Sequence, residues 1–210
     1  AHAEVRDDAD RLAAAIISMQ ADILLLQEIE NQRALDVLLQ ATEGVFSTAL
    51  LAETGGAASL DVALLSRFPI LSHRGHREQP LQRPDGSATR FARELLETHF
   101  QLDELHIITF NAHFKSQHND DPGRRLAEAA ALGKLVSERR AEHPNALILV
   151  GGDLNAVPGS AALQALEKDT DLQRLAQELT GGADSTYVFQ NRRKALDHLY
   201  AGPSESASYV

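Results

Sequence analysis

Ala146–Leu147–Ile148–Leu149–Val150–Gly151–Gly152–Asp153–Leu154–Asn155–Ala156–Val157–Pro158 is the stretch from which the fold of this 210-residue chain is read. A short apolar run bounded by glycine reads as a buried strand, and Gly151–Gly152 predicts its end, because glycine lets the backbone turn. Asp153 and Asn155 then stand two apart on extended backbone, so their side chains face the same way. An anion beside a neutral amide suits a hard cation, or a phosphate and its attacking water. A strand followed by an ordinary Asp/Asn/Pro turn accounts for the same letters, so this stretch alone leaves both readings open.

Three other strand ends bear on the choice. Ala21–Asp22–Ile23–Leu24–Leu25–Leu26–Gln27–Glu28 is a buried-strand run that ends in a carboxylate. Leu105 to Ser116 contains a strand ending at His113, with Lys115 expected on the same face. Ala195–Leu196–Asp197–His198–Leu199–Tyr200 puts Asp197 in an apolar strand, where a carboxylate is costly unless paired. Singly, Glu28 is a solvated strand end and His113 a structural histidine. Together they place polar groups at successive strand ends, where ligands of α/β sheets collect.

In this order the segments resemble the endonuclease/exonuclease/phosphatase superfamily of metal-dependent phosphoesterases. The matching pieces are Gln27–Glu28, Ser66 to Ile70 (SRFPI), Arg93–Glu94, Asn111 to Ser116 (NAHFKS), Gly152 to Ser160 (GDLNAVPGS) and Leu196 to Gly202 (LDHLYAG). The resemblance implies an α/β fold of two packed mixed β-sheets flanked by helices, a four-layer αββα sandwich. It also implies roles: Glu28, with Asp153, as metal ligand, His113 as the acid for the leaving group, and Glu94 as the residue orienting His113. Asp153 and Asn155 would hold the attacking water and a phosphate oxygen, and Asp197 would orient a second histidine acting as base. The implied cofactor is Mg²⁺ (or Mn²⁺), and the implied partner a phosphate-ester substrate, nucleic acid included.

Two departures from the family pattern stand out. Its usual first strand, bearing an asparagine, is replaced by Glu4–Val5–Arg6–Asp7–Asp8 leading into a helix, and its closing Ser-Asp-His strand does not appear before Val210. The expectation is one domain over residues 1–210, truncated at both ends. Besides a working phosphoesterase, this leaves a catalytically incomplete binding module or an enzyme fragment as alternatives. His198 is a poor substitute for the missing base, because neighbouring strand residues face opposite ways.

A length of 210 residues suffices for a substantial core in one domain. No apolar stretch approaches the ~18 residues of a membrane span, and no signal peptide is visible, so a soluble chain is expected, with its compartment left open. The absence of cysteine excludes disulfides and thiolate metal sites. A net charge of −10 argues against broad adhesion to nucleic acid, although Arg90, Arg93, Lys115, Arg124 and Arg125 could form a basic rim. Arg124–Arg125 also reads simply as the solvated face of a helix. Seven Phe, three Tyr and no Trp weaken the case for a base-stacking single-strand binder.

Apolar spacing predicts a helix over Ala9 to Gln20, and Asn31 is a candidate cap for a second. Leu60 to Leu65 reads as a strand, with a short one after Phe68–Pro69. His73 to Ala88 reads as an exposed loop or hairpin with His73 and His76 on the surface. Phe91 to Phe100 and Leu105 to Phe114 read as paired strands turning at Leu102–Asp103–Glu104, which would bring Glu94 to His113. Pro122 opens a long helix to about Glu142. Ala161 to Glu167 is a short helix, and Gly181 to Asp184 a loop.

Overall fold

A computed structural model of the chain describes residues 2–54, 60–179 and 181–203, with side chains from Ala9 onward. In chain order the elements are α1 (His2–Ser18), β1 (Ile23–Ile29), α2 (Gln32–Ala41), β2 (Thr48–Ala52), β3 (Asp61–Ser66) and β4 (Ser72–Gly75). Then come β5 (Leu81–Gln82), β6 (Ala88–Thr89), β7 (Leu96–Leu102), β8 (Leu105–His113), α3 (Pro122–Glu142) and β9 (Leu147–Asp153). The last are α4 (Ala161–Glu167), β10 (Gln173–Arg174), β11 (Tyr187–Phe189), β12 (Arg192–Lys194) and β13 (Asp197–Ala201).

Strand β3, buried along its whole length, shows why the layers form. Val62 and Leu64 point one way and pack with Leu96, Phe100 and Ile107 between two sheets. Ala63 and Leu65 point the other way and pack with Ile16, Leu35, Leu38 and Phe46 beneath α1 and α2. Period-two alternation with both faces apolar is what a doubly covered strand needs. One sheet is antiparallel with order β1-β3-β2; the other has order β10-β13-β9-β8-β7-β4 and one parallel pair, β8 with β9. Helices α3 and α4 close its outer face, where Leu132, Val136, Leu163 and Leu166 meet Phe110, Ile148 and Val150. The layers therefore run helices, sheet, sheet, helices. This is the expected αββα sandwich.

The caps follow their sequence signals. The Asn31 side chain accepts from the Ala34 amide at the start of α2, and Asp121 does the same for Arg124 before Pro122. The described residues enter through α1 rather than a strand, and β1 forms one edge of the three-stranded sheet. Ser204 to Val210 lie outside the described residues.

Four local expectations are corrected. Strand β9 does not stop at the glycines but runs through them to Asp153. At Gly152, φ is +128° and a Cβ would collide with the Ala112 carbonyl, so glycine is there for close approach between β8 and β9. Strand β7 starts at Leu96, not Phe91. His76 is buried rather than on the surface: its Nε2 donates to Glu97 at 2.7 Å. Arg125 is buried too, donating from Nη1 to the Lys115 carbonyl and Asp120, so only Arg124 of that pair keeps a partly solvated side chain.

Candidate active site

Register brings the acidic and basic strand ends together. In the parallel pair β8–β9, His113 lies opposite Asp153; in the antiparallel pair β9–β13, Asp153 lies opposite Asp197. Three neighbouring strands therefore present His113, Asp153 and Asp197 side by side. Glu28 arrives from the other sheet. Between Leu26 and Ile29 strand β1 carries one extra residue relative to β3, and Glu28 sits in that bulge with φ +60°. Bulges re-aim side chains, and a glutamate held in the left-handed region is strained, a common feature of functional sites.

The two sheets are tied together beside Glu28 by Asn111, a residue that the sequence reading left without a role. Its buried amide donates to the carbonyls of Leu26 (3.0 Å) and Ala63 (2.8 Å), and its Oδ1 accepts from Gln27 (2.7 Å). An asparagine in the middle of an apolar strand was the available signal, since a buried amide must find partners.

Electrostatics couple the carboxylates. Burial, reinforced by the charges of Asp197 and Glu28, pushes Asp153 up to about 6, against the lowering pull of the Asn155 amide and Arg93. His113 Nε2 is 3.7 Å from Asp153 Oδ2, and burial with the nearby Arg93 charge pushes the imidazole down to about 4. The ring is therefore neutral near pH 7, whereas the role of acid that the resemblance implies calls for a protonated one.

Glu94, expected to orient His113, does not form that hydrogen bond. Glu94 Oε1 instead accepts from the amides of His76 (2.6 Å) and Arg77 (2.7 Å), while His113 Nδ1 is buried without a partner among the described residues. Glu94 lies just before β7, which pairs with β4, so its carboxylate meets the free amides of the turn that follows β4. Asn155 does lie beside Asp153, but not on extended backbone. Its φ is +48°, its amide donates to Asp153 Oδ1 (2.9 Å), and its side chain donates to the Phe114 carbonyl (3.3 Å). Lys115 lies beyond β8, donating to the carbonyls of Ser116 and His118. Asp197 is exposed, whereas His198 is buried on the other face with Nε2 donating to the Ala156 carbonyl (2.8 Å). Arg93 donates to the Phe114 carbonyl, and fully buried Glu128 accepts from the amides of Ala92 and Lys115. Helix α3 thereby fixes both loops that flank His113. Glu128 was missed because it lies among alanines in a helical run.

These donors fit a hard divalent cation. Glu28 and Asp153 carry the carboxylate oxygens such an ion takes, and a cation there would relieve the repulsion that Glu28 and Asp197 exert on Asp153. Among the described residues no three His, Asp or Glu side chains already converge as a cage. Magnesium commonly takes one or two protein carboxylates and keeps several waters.

Comparison with known proteins bears on the fold and the family. No curated protein sequence matches the chain. Among solved structures, TDP2 from Caenorhabditis elegans is similar at TM-score 0.70 and 19% identity, covering 94% of this chain and 59% of that one. The chain thus spans less than two thirds of that relative. The human Nocturnin catalytic domain with bound sulfate has TM-score 0.70 at 16% identity, covering 95% of this chain and 75% of that one. TDP2 from D. rerio, complexed with a single strand DNA product, has TM-score 0.62 at 14% identity, covering 98% and 80%. At such identities these structures speak for the fold. The family model for the Endonuclease/Exonuclease/phosphatase family matches residues 2–209, and the chain belongs to that family.

Proposed function

We propose that the chain is a phosphoesterase that hydrolyses a phosphodiester or phosphomonoester with water, with Mg²⁺ or Mn²⁺ as cofactor. The observation carrying this reading is Asp153, a half-buried carboxylate pushed up to about 6 in part by two further carboxylates. Structural ion pairs bring opposite charges together. A cluster of like charges at strand ends suits a bound cation better. Glu28 and Asp153 would hold the ion, which supplies charge neutralisation and a more acidic water when bound. Asp153 would orient the attacking water, and Asn155 a phosphate oxygen. His113, neutral at physiological pH, would offer an N–H to a phosphate or leaving oxygen rather than a stored proton. Arg93 adds positive charge where negative charge develops.

Asp197 has no histidine partner among the described residues. Lack of a positioned base costs a factor of about 10²–10⁴, so turnover well below ~1 s⁻¹ is expected of these residues. DNA is the first substrate to try, since the D. rerio TDP2 structure holds a single-stranded DNA product. The test is hydrolysis of labelled single-stranded DNA and of bis(p-nitrophenyl) phosphate with millimolar Mn²⁺ or with EDTA. Slow, Mn²⁺-dependent cleavage lost in Glu28→Gln supports the reading. Cleavage that ignores EDTA and survives Glu28→Gln would reject it. No cleavage together with no metal-induced stabilisation would favour a non-catalytic binding module.

A further inference from the structure

The hairpin β11–β12 stands out from the rest of the surface. Tyr187, Val188 and Phe189 are 45%, 61% and 58% exposed, and a two-residue turn of Gln190 and Asn191, both with positive φ, joins the strands. Tyr187 lies opposite Lys194, and Phe189 opposite Arg192, so these four side chains share one face. The Tyr187 and Phe189 rings are 6.4 Å apart between centroids with planes only 20° apart. At that separation and angle the two rings form one near-parallel aromatic surface on the face that also carries Arg192 and Lys194. No acidic residue occurs from Thr186 to Lys194, in a chain of net charge −10.

The stem is attached to the candidate active site. Thr186 Oγ1 accepts from the amides of Leu196 (3.1 Å) and Asp197 (3.0 Å). Lys194 Nζ donates to Gln117 (2.9 Å), whose own amide donates to the Asn155 carbonyl (3.2 Å). Near-parallel rings call for a flat aromatic ligand, and the flanking cations call for phosphate. A single-stranded nucleic acid offers both, with base faces free to stack. A lipid surface would favour apolar residues at the hairpin tip, which here is Gln190–Asn191.

We propose that this hairpin is a docking platform for single-stranded nucleic acid, with a base held by Tyr187 and Phe189 and phosphates met by Arg192 and Lys194. The sparse aromatics that weakened such a reading from composition are outweighed by where two of them stand. The proposal rests on the phosphoester reading of the adjoining site, but its test does not need catalysis.

The test is fluorescence anisotropy of labelled oligothymidylate with the 210-residue chain in EDTA, with equal melting temperatures confirming that each variant is folded. Tyr187→Ala with Phe189→Ala should weaken binding about 5- to 150-fold per stacked base. Val188→Ala, on the opposite face, should leave it unchanged. An abasic oligomer should bind the wild type weakly and lose nothing further in the double variant. Arg192→Ala should reduce the salt slope by about 0.7, the value for one single-strand phosphate contact. Wild type that fails to bind, a double variant that binds equally well, or hairpin-dependent sedimentation with anionic vesicles in place of oligonucleotide binding would each overturn the proposal. Loss of hydrolysis with hairpin-dependent binding intact would instead indict the active-site reading alone.

Discussion

At the residue scale, Asp153 and Glu97 are two buried carboxylates with opposite consequences. Asp153 is raised from 3.8 to about 6, so the folded protein holds this proton more tightly than the unfolded chain does. Its contribution is favourable below 3.8 and is lost as pH rises through about 6. Asp153→Asn should therefore raise the metal-free melting temperature near neutral pH, by up to roughly 2–3 kcal/mol in stability, with the gain shrinking as pH falls and vanishing below about 3.8. Melting curves in EDTA across that range would check the sign. Glu97 is the contrary case: it accepts from His76 (2.7 Å), His99 (2.6 Å) and Arg139 (2.6 Å). Burial raises its pKa but these three bonds win, so its stabilisation is present above 4.5 and lost as acid protonates it. Glu97→Ala leaves the buried Arg139 guanidinium with only Glu142 as a carboxylate partner and two imidazoles without their acceptor, and should cost about 3–5 kcal/mol, read by urea denaturation. Neither environment could be read from the sequence. Partners of Glu97 lie as far as 42 residues away, and only packing decides whether such a carboxylate meets donors or like charges.

Elements whose signal is local were legible. Helix α3 spans Pro122–Glu142 as the proline at its start implies, and Asn31 caps α2. The strand ends bearing Glu28, His113, Asp153 and Asp197 were legible too, because an apolar run that stops at a polar residue is a one-dimensional pattern. What failed was geometry at the junctions. The Gly151–Gly152 pair reads as a stop because glycine often ends strands, yet β9 runs through it, and Gly152 is what lets β8 and β9 approach. Asn155 looked extended, yet its amide closes a turn onto Asp153. Glu94 seemed aligned with His113 by simple pairing, yet β7 begins only at Leu96. Gly152→Ala tests the junction directly. With φ at +128° and the Ala112 backbone in the way, it should destabilise the fold by more than about 2–3 kcal/mol, visible as a lowered melting temperature.

For the whole molecule, two sheets must hold Glu28 from one side and His113, Asp153 and Asp197 from the other, with the Asn111 bridge keeping the register between them. Asn111→Ala should leave the Leu26 and Ala63 carbonyls unpaired, cost about 1–3 kcal/mol, and weaken cation binding without removing any ligand. The proposed function requires that these sheets together make a divalent-cation site. Binding N but not U stabilises by about 2.7 kcal/mol at a ligand concentration of 100 Kd, and one kcal/mol moves a domain of this size by about 2–4 °C. The most direct measurement is calorimetric titration of Mn²⁺ into the wild type and Glu28→Gln near neutral pH and again near about pH 5, below the Asp153 value. Saturable binding is expected near neutral pH, weakening at the lower pH and disappearing in Glu28→Gln. No binding by the wild type, or equal binding by Glu28→Gln, would contradict the proposed function.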